Sequence, residues 1–496
     1  MLYKSTRNNL IEVESAEAIT MGLSHEGGLF VPQDLPHLEL EDIECLSNKE
    51  YVERAIEVLS LFLTDFSDED LTSCVQKAYT EEKFHSETIT EISHLYEGRY
   101  MLELWHGPTC AFKDMALQLL PHLLTTSAKM IGNDKEIVIL VATSGDTGKA
   151  ALEGFKDVES TKIIVFYPQD GVSPMQKRQM TSQEGKNVFV CAINGNFDDA
   201  QTAVKSIFTD KELAKLLEEN GKMFSSANSI NWGRLVPQIV YYVSAYADLV
   251  ANEEIKLGDL VNVCVPTGNF GNILAAYYAK KMGVPFDKLI CASNENKVLT
   301  DFINTGIYDK NRAFKATISP SMDILISSNL ERLLFDLAGE DDNAIKEWFA
   351  LLNEQGNYEV SDVVKAKLQE NFYGGYCDDE ETKATIAEVF NKYSYLCDTH
   401  TAVAVKVYED YCKKTGDNKK VIIASTANPY KFAGSVLSAI KEPASSDEYN
   451  QIDELNQLSG LELPLELESL KDSTIRFALS IDKADIKQEV VRTLSL

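Results

Sequence analysis

Residues 136–155, EIVILVATSGDTGKAALEGF, decide the fold class. The apolar run near 136–142 predicts a buried strand, the polar residues after it predict a loop, and the remainder has the period of an amphipathic helix. The same unit recurs at 259–283, DLVNVCVPTGNFGNILAAYYAKKMG, and at 419–440, KKVIIASTANPYKFAGSVLSAI. Short apolar strands that alternate with helices predict an α/β fold with parallel sheets covered on both faces.

The two ends of the chain lack this strand–loop–helix pattern. Residues 1–95 are acidic and largely helical in pattern, which predicts a separate N-terminal domain. We expect the α/β catalytic region to span residues 96–440. Residues 441–496 begin with the polar, acidic stretch KEPASSDEYNQIDELNQLSG and are expected to form a C-terminal extension that packs on the catalytic region.

Composition excludes several classes of partner. The chain has 496 residues, 44% of them hydrophobic, and a formal net charge of −30, which repels nucleic acid and anionic lipid. It contains no apolar run of about 18 residues, and its first residues lack the pattern of a signal peptide. The nine cysteines form no Cys-x-x-Cys pair, so we expect reduced thiols in a cytoplasmic protein and no metal site.

The segment PTGNFGN, residues 266–272, follows an apolar strand and opens a helix. Gly268 and Gly271 would let backbone N–H groups converge on one point, where the helix N-terminus adds positive potential. This pattern is typical of a phosphate cradle. A tight strand-to-helix turn without a ligand explains the glycines equally well.

A second loop, ATSGDTGKAAL at residues 142–152, resembles a nucleotide-binding P-loop only superficially. That motif needs glycine at 143 and a hydroxyl at 150, where Thr143 and Ala150 stand. Ser144, Thr147 and the loop amides could instead bind a small anion such as a carboxylate. The alternative is a helix capped by Thr143 or Ser144.

Lys113 lies in HGPTCAFKDMALQ, residues 106–118, at the predicted start of a helix. Leu117, Leu120 and Leu124 follow at helical spacing, so the lysine lies on the apolar stripe. Burial and the positive helix end would lower the pKa of its amine, as Schiff-base chemistry requires. Together with a phosphate cradle, this predicts pyridoxal phosphate as cofactor. A lysine whose amine extends to solvent is the alternative.

A third loop, STANPYKF at residues 425–432, places the hydroxyl of Thr426 at the end of an apolar strand. A hydroxyl near the pyridine nitrogen of the cofactor would favour a neutral ring. A helix N-cap is a second explanation for this loop, and the two are compatible.

Together these motifs resemble the threonine synthase family. HGPTCAFKD resembles its cofactor-lysine motif, SGDTG, PTGNFGN, NSINWGRL and DTHTAV follow in the family's order, and EGGLFVP resembles its N-terminal domain. The resemblance, closest to the long microbial and fungal branch, implies a two-lobed tryptophan-synthase β-like (fold type II) pyridoxal-phosphate enzyme. The smaller lobe would span about 136–250, and an extra N-terminal domain would precede the lobes.

The resemblance also implies roles for individual residues. Lys113 would be the catalytic Schiff-base lysine, Thr426 would face the ring nitrogen, and Asp146 would lie near the ring hydroxyl. The phosphate of the cofactor would be held by Gly268, Asn269, Phe270 and Asn272. The candidate substrate-binding residues are Ser144, Thr147, Asn231 and Arg234.

The implied reaction converts O-phospho-L-homoserine and water to L-threonine and phosphate, the last step of threonine biosynthesis. The resemblance further implies a monomer. One alternative is a related phospholyase that releases 2-oxobutyrate, ammonia and phosphate, and another is a serine or threonine dehydratase. A non-catalytic pyridoxal-phosphate-binding protein is the alternative from a different class.

Overall fold

The computed structural model describes residues 1–86, 88–143, 145–169, 172–208 and 210–496, without the side chains of residues 197 and 198. Its strands are β1 (Leu2–Ser5), β2 (Asn8–Glu14), β3 (Phe30–Pro32), β4 (Glu91–Tyr96), β5 (Arg99–Glu103), β6 (Glu136–Ala142), β7 (Thr161–Pro168), β8 (Val188–Asn194), β9 (Lys222–Ser225), β10 (Val261–Pro266), β11 (Phe286–Ser293), β12 (Ile307–Asp309), β13 (Asn357–Glu359), β14 (Phe372–Tyr376), β15 (Val421–Ser425) and β16 (Ser480–Asp482).

Its α-helices are α1 (Ser15–Met21), α2 (Leu40–Ser47), α3 (Tyr51–Phe62), α4 (Asp68–Ala78), α5 (Glu81–Phe84), α6 (Lys113–Leu117), α7 (Leu120–Met130), α8 (Asp146–Phe155), α9 (Pro174–Thr181), α10 (Phe197–Phe208), α11 (Lys211–Glu219), α12 (Trp232–Ala251), α13 (Gly271–Lys281), α14 (Val298–Thr305), α15 (Leu330–Leu337), α16 (Asp342–Glu354), α17 (Asp362–Asn371), α18 (Asp379–Tyr393), α19 (Thr399–Thr415), α20 (Ala433–Ile440), α21 (Glu448–Ser459), α22 (Leu465–Glu468) and α23 (Ile486–Leu494). Within the described residues, no helix combines the length and the apolar character that a membrane crossing requires.

The larger of the two main sheets has the strand order β14-β11-β10-β15-β5-β4. Its neighbours pair in parallel, except for the edge pair β4–β5, which is antiparallel. Every residue of β10 and β15 is buried, as expected for central strands covered by helices on both faces. The loops that follow β5, β10 and β15 therefore emerge at one edge of this sheet.

The second sheet has the order β16-β8-β7-β6-β9, and all its pairs are parallel. Its edge strand β16 comes from the C-terminal region, and α23 packs against α10 nearby. Residues after 441 therefore supply an edge strand of the second sheet, β16, and a helix, α23, that packs against α10. Two parallel sheets, each with its own helices, confirm the predicted α/β class.

The N-terminal region is not built from helices alone. β1 pairs antiparallel with both β2 and β3 in a three-stranded sheet, and α1 to α5 follow or interrupt it. α2 and α3 pack against the long helix α12, which also contacts α13 and α6. Because α12 is buried along most of its length, it joins the N-terminal region to the catalytic region.

The continuous helix expected from Lys113 onward is interrupted. α6 ends at Leu117, and α7 begins only at Leu120. Pro121 lies in the first turn of α7, where its missing N–H costs nothing, but its ring is incompatible with an uninterrupted helix through Leu117. The break shortens the helix that carries Lys113 to about one and a half turns.

Candidate active site

Two neighbouring turns place Lys113 and Thr426 at the same edge of the large sheet. Ala111 and Ala427 form an isolated antiparallel bridge, and the backbone N–H of Phe112 donates to the carbonyl of Thr426 at 2.9 Å. Each turn follows a strand of the large sheet, β5 in one case and β15 in the other. The two loops that carry these candidate residues therefore lie side by side.

The amine of Lys113 is buried but only loosely held. The residue is 9% exposed, and its Nζ lies 3.6 Å from Oδ2 of Asp146 and 3.5 Å from Oγ of Ser321. Burial lowers the pKa of this amine, and the positive charges of Lys431 and Arg234 lower it further against the opposing effect of Asp146. A lysine in this setting is a good nucleophile and a good base.

Asp146, the first residue of α8, is the buried carboxylate next to Lys113. Its Oδ1 accepts hydrogen bonds from Nζ of Lys431 at 2.9 Å and from Nε2 of Gln176 at 3.0 Å. Burial by itself would raise the pKa of Asp146, but Lys431 and Lys113 outweigh it and hold the pKa well below its usual range. The carboxylate is therefore ionised and shared by two lysines.

Sequence reasoning missed Lys431. It is 1% exposed, and besides Asp146 its Nζ donates to the carbonyl oxygen of Thr109 at 2.7 Å. The available signal was its place in the loop STANPYKF, five residues after Thr426, in a motif already expected at the site. The spacing of residues in this loop gives no sign that the side chain of Lys431 is buried, because its contact with Asp146 of α8 depends on the tertiary fold.

The loop after β10 has the geometry of an anion cradle. Phe270 has a left-handed backbone with φ of 62°, and α13 begins at the next residue, so backbone N–H groups turn toward the loop. A Cβ at Gly268 would lie 2.6 Å from the carbonyl oxygen of Ser321, so only glycine fits this close approach.

Asn272 supplies the observation that points to a ligand in this loop. Its Oδ1 accepts from the hydroxyl of Tyr242, while its Nδ2 is buried without a partner among the described residues. An unpaired buried donor is costly, so a bound acceptor such as a phosphate oxygen is expected there. Ser321 contacts both this loop and Lys113, which brings the cradle and the amine to one cleft. The residues fit pyridoxal phosphate.

Ser321 is itself positioned by a buried histidine. Its backbone N–H donates to Nε2 of His400 at 3.1 Å, and Nδ1 of His400 lies 2.8 Å from Oδ1 of Asp398. His400 therefore has satisfied partners on both ring nitrogens, consistent with a structural role. His106 likewise pairs with Glu103, at 3.0 Å.

Arg234 is the strongest of the candidate substrate-binding residues. It is 6% exposed, and its Nη1 donates to the carbonyl of Ala227 at 2.8 Å. Within the described residues it has no acidic partner, and burial lowers its pKa to about 10, so it remains a cation at neutral pH. A buried, unpaired guanidinium close to Lys113 calls for an anionic ligand.

The other candidate substrate-binding residues differ in whether their side chains have a donor available for a substrate. Asn231 caps α12: its Oδ1 accepts from the N–H of Gly233, and its Nδ2 donates to the carbonyls of Ile19 and Ser226. This leaves its side chain no donor for a substrate. Thr147 lies in the first turn of α8, next to Asp146, whereas Ser144 lies outside the described residues.

Three family models match consecutive parts of the chain. The model for the threonine synthase N terminus matches residues 2–79, that for pyridoxal-phosphate dependent enzymes matches residues 87–426, and that for the threonine synthase C-terminal region matches residues 401–488. The chain belongs to the threonine synthase family. This membership confirms the predicted fold type and pyridoxal phosphate as the cofactor of the family's catalytic region.

Individual members of the family resemble the chain over most of its length. Threonine synthase from Pseudomonas aeruginosa is 38% identical, and the match covers 88% of this chain and 90% of that one. The crystal structure of PLP-bound threonine synthase from Brucella melitensis superposes with a TM-score of 0.88 at 37% identity, covering 99% of both chains. Human threonine synthase-like 1 is 43% identical over 91% of this chain. The chain spans about 60% of the length of that relative.

Proposed function

We propose that this member of the threonine synthase family converts O-phospho-L-homoserine and water to L-threonine and phosphate. The observation that carries the proposal is the proximity of two buried basic side chains, Lys113 and Arg234. One is a buried amine with a lowered pKa, the other a buried guanidinium without an acidic partner among the described residues. An anionic amino-acid substrate would meet both groups in one cleft.

Pyridoxal phosphate, when bound, supplies an aldehyde that reacts with amines and a ring that stabilises negative charge beside the substrate nitrogen. Lys113 is the proposed attachment residue. Gly268, Asn269, Phe270 and Asn272 would hold the phosphate, with Nδ2 of Asn272 as one donor. Thr426 would face the ring nitrogen, and Asp146 would lie near the ring hydroxyl.

When its amine is not attached to the cofactor, Lys113 would be free to act as a base. Its lowered pKa increases the fraction of neutral amine, so Lys113 would take the proton from Cα and later return one. Asp146 lies 3.6 Å away and stabilises the protonated form, while Lys431 prevents Asp146 from holding that proton itself. The three groups together hold the transferred proton at Nζ of Lys113.

In the proposed reaction, protons leave Cα and Cβ, and the bond between Cγ and the phosphate oxygen breaks with its electron pair on phosphate. Protonation at Cγ follows, water then adds its oxygen to Cβ and loses one proton, and protonation at Cα completes threonine. Arg234 would bind the substrate phosphate and keep it in the cleft after cleavage. Thr147 and Ser144 would donate to the substrate carboxylate, with Asn231 fixing the start of α12.

The phospholyase alternative is the second candidate reaction. The chain is 43% identical to human threonine synthase-like 1, a relative whose name differs from that of the threonine synthases. That enzyme would release 2-oxobutyrate, ammonia and phosphate. Mixing cofactor-loaded protein with O-phospho-L-homoserine and following the products by NMR separates the two. Threonine formed in step with phosphate would support the synthase reaction. Formation of 2-oxobutyrate with phosphate would instead support the phospholyase reaction. If no phosphate were released, both reactions would be rejected.

We also propose the cellular setting and the division of the chain. The nine cysteines are free thiols, eight of them buried, which supports a reducing cytoplasm. The proposed division is an N-terminal domain at 1–95, a catalytic region at 96–440 with its smaller lobe at about 136–250, and an extension at 441–496. We propose a monomer that acts on small molecules and binds neither nucleic acid nor membrane.

A further inference from the structure

A second cavity lies at the opposite ends of the two helices that carry Lys113 and Asp146. It has a volume of about 610 Å³ and is lined by α4, α5, α7, the last turn of α8 and the residue that follows α6. Pockets for metabolite-sized molecules are typically about 300–1,000 Å³. The cavity is therefore large enough for a small organic ligand.

One wall of this cavity is positively charged. Lys77, Lys83 and Lys129 line it, and none of the three has an ion-pair partner within the described parts of the chain. Nζ of Lys83 donates to the carbonyl of Lys77 at 2.8 Å, which holds the two ammonium-bearing residues together. His122 also lines the cavity, and burial together with the charges of Lys83 and Lys77 lowers its pKa to about 4.

The lining also contains three acidic residues, Glu153, Asp157 and Glu159, and the charge of Glu153 acts on Lys83. Glu153 is shared with other groups, since its Oε2 accepts from Nζ of Lys149 and Nε2 of Gln183, both at 2.9 Å. Asp157, in the loop after α8, accepts a hydrogen bond at its Oδ1 from the backbone N–H of Lys186, at 2.8 Å. The chain carries a net charge of −30, so its overall surface charge does not account for three neighbouring lysines that have no ion-pair partner among the described residues.

Gln118 provides an independent sign of a missing ligand. It lines the cavity, is 2% exposed, and its Nε2 is buried without a hydrogen-bond partner among the described residues. Buried amide donors are normally satisfied. An acceptor oxygen in the cavity would satisfy this donor and balance the lysines at the same time.

We propose that this cavity binds a small molecule bearing a phosphate group, and that its occupancy is felt at the catalytic lysine. A phosphate offers several acceptor oxygens and two negative charges, which match the lysines and the free amide of Gln118. Gly154 of α8 packs so closely on α6 that a Cβ there would lie 1.9 Å from the carbonyl oxygen of Leu117. Because the helices touch at this end, a ligand that contacts Gln118 and the last turn of α8 bears on Lys113 and Asp146, the first residues of the two helices.

Isothermal titration of the cofactor-loaded protein with pyrophosphate tests the proposal. Pyrophosphate should also occupy the active site, so two binding events are expected in the wild type. Lys77→Gln/Lys83→Gln should weaken one of them at least about tenfold and leave the other unchanged. The matched control Lys211→Gln/Lys215→Gln removes the same charge from exposed positions of α11 and should change neither event.

The proposal would be overturned if no binding event of the wild type were weaker in Lys77→Gln/Lys83→Gln. Lys129→Glu keeps the test decisive if the double variant does not fold, because Lys129 is exposed and its replacement disturbs no buried contact. It should weaken the same event, and an unchanged event would count against the site. None of these readouts depends on turnover, so a failure here is separate from failure of the proposed reaction.

Discussion

The turn at residues 106–117 and the turn at residues 425–432 each direct a lysine at the same carboxylate, with different results. Nζ of Lys431 lies 2.9 Å from Asp146 and donates to a backbone carbonyl as well. Nζ of Lys113 lies 3.6 Å from Asp146, and its one other polar contact among the described residues is with Ser321, at 3.5 Å. Lys431 is a fixed counter-ion, whereas the contacts of Lys113 within the described part of the chain are long.

This difference explains how one site can contain both a permanent ion pair and a reactive amine. A single lysine beside Asp146 would be held as a cation, because an adjacent carboxylate raises the pKa of an ammonium group. Lys431 satisfies Asp146 and adds a positive charge near Lys113. Burial and that charge together keep the pKa of Lys113 low.

The largest expected effect is that of Lys113→Met. Removing the amine should abolish the visible absorbance of the bound cofactor and lower turnover by at least about 10³-fold, because attachment and proton transfer both depend on it. The free energy of unfolding should change little, since the amine makes only long contacts. Absorbance spectroscopy, steady-state kinetics and chemical denaturation check the three statements. Retained turnover would move the catalytic role to another lysine.

Lys431→Met makes the same chemical change in the other turn and should act mainly on stability. It leaves Asp146 buried with a weaker partner, which should cost about 3–5 kcal/mol in the free energy of unfolding. Asp146→Asn in the same chain should recover part of that loss. A double-mutant cycle measured by urea denaturation gives the coupling between the two residues. Additive effects would show that the ion pair is not the stabilising contact.

Asp114 links the two turns and gives a pH-dependent prediction. Its carboxylate accepts from the N–H and hydroxyl of Thr109, whose carbonyl accepts from Lys431. Burial raises the pKa of Asp114 to about 6, above its value in an unfolded chain. The folded state therefore holds this proton more tightly, and stability falls as pH rises from about 4 to about 6.

Asp114→Asn should remove that fall in stability, because its amide stays neutral and the hydroxyl of Thr109 can rotate to accept from it. Relative to the variant, the wild type should lose about 2 kcal/mol between pH 4 and pH 6. Denaturation curves of both proteins across this range measure the difference. Parallel pH profiles would contradict the assigned pKa.

The smallest expected effect is that of Arg234→Gln. If Arg234 binds the substrate phosphate, kcat/KM for O-phospho-L-homoserine should fall about tenfold, mostly through KM, because one charged contact is lost. The pKa of Lys113 should also rise slightly, since a nearby positive charge is removed. Arg178→Gln is the control: its guanidinium bonds to Ser473 and the carbonyl of Leu470 in the C-terminal region. An equal fall in both variants would argue against the role of Arg234.

The parts of the structure that follow from local sequence pattern were predictable. The strand–loop–helix units at 136–155 and 259–283 predicted parallel sheets, and the glycines at 268 and 271 predicted a turn between strand and helix, where Phe270 has a left-handed backbone. The position of Lys113 at the start of a helix was also predictable, although not the shortness of that helix. Each of these features depends on residues close together in the chain.

The parts that were missed depend on residues far apart in the chain. Lys431 contacts Asp146 although the two residues are nearly 300 positions apart in the chain, and sequence periodicity cannot predict such a contact. Strand β16 joins the second sheet from the C-terminal region, although residues 480–482 carry no strand pattern long enough to read. The break after Leu117 could have been anticipated from Pro121, but the apolar spacing of the leucines concealed it.

The central claim is that Lys113, and not Lys431, bonds to the cofactor. Reduction of the loaded protein with borohydride fixes the cofactor to its lysine, and peptide mass spectrometry then locates that residue. We expect the modification on the peptide that contains Lys113 and not on the peptide that contains Lys431. Modification of Lys431, or of neither lysine in a protein with visible absorbance, would contradict it.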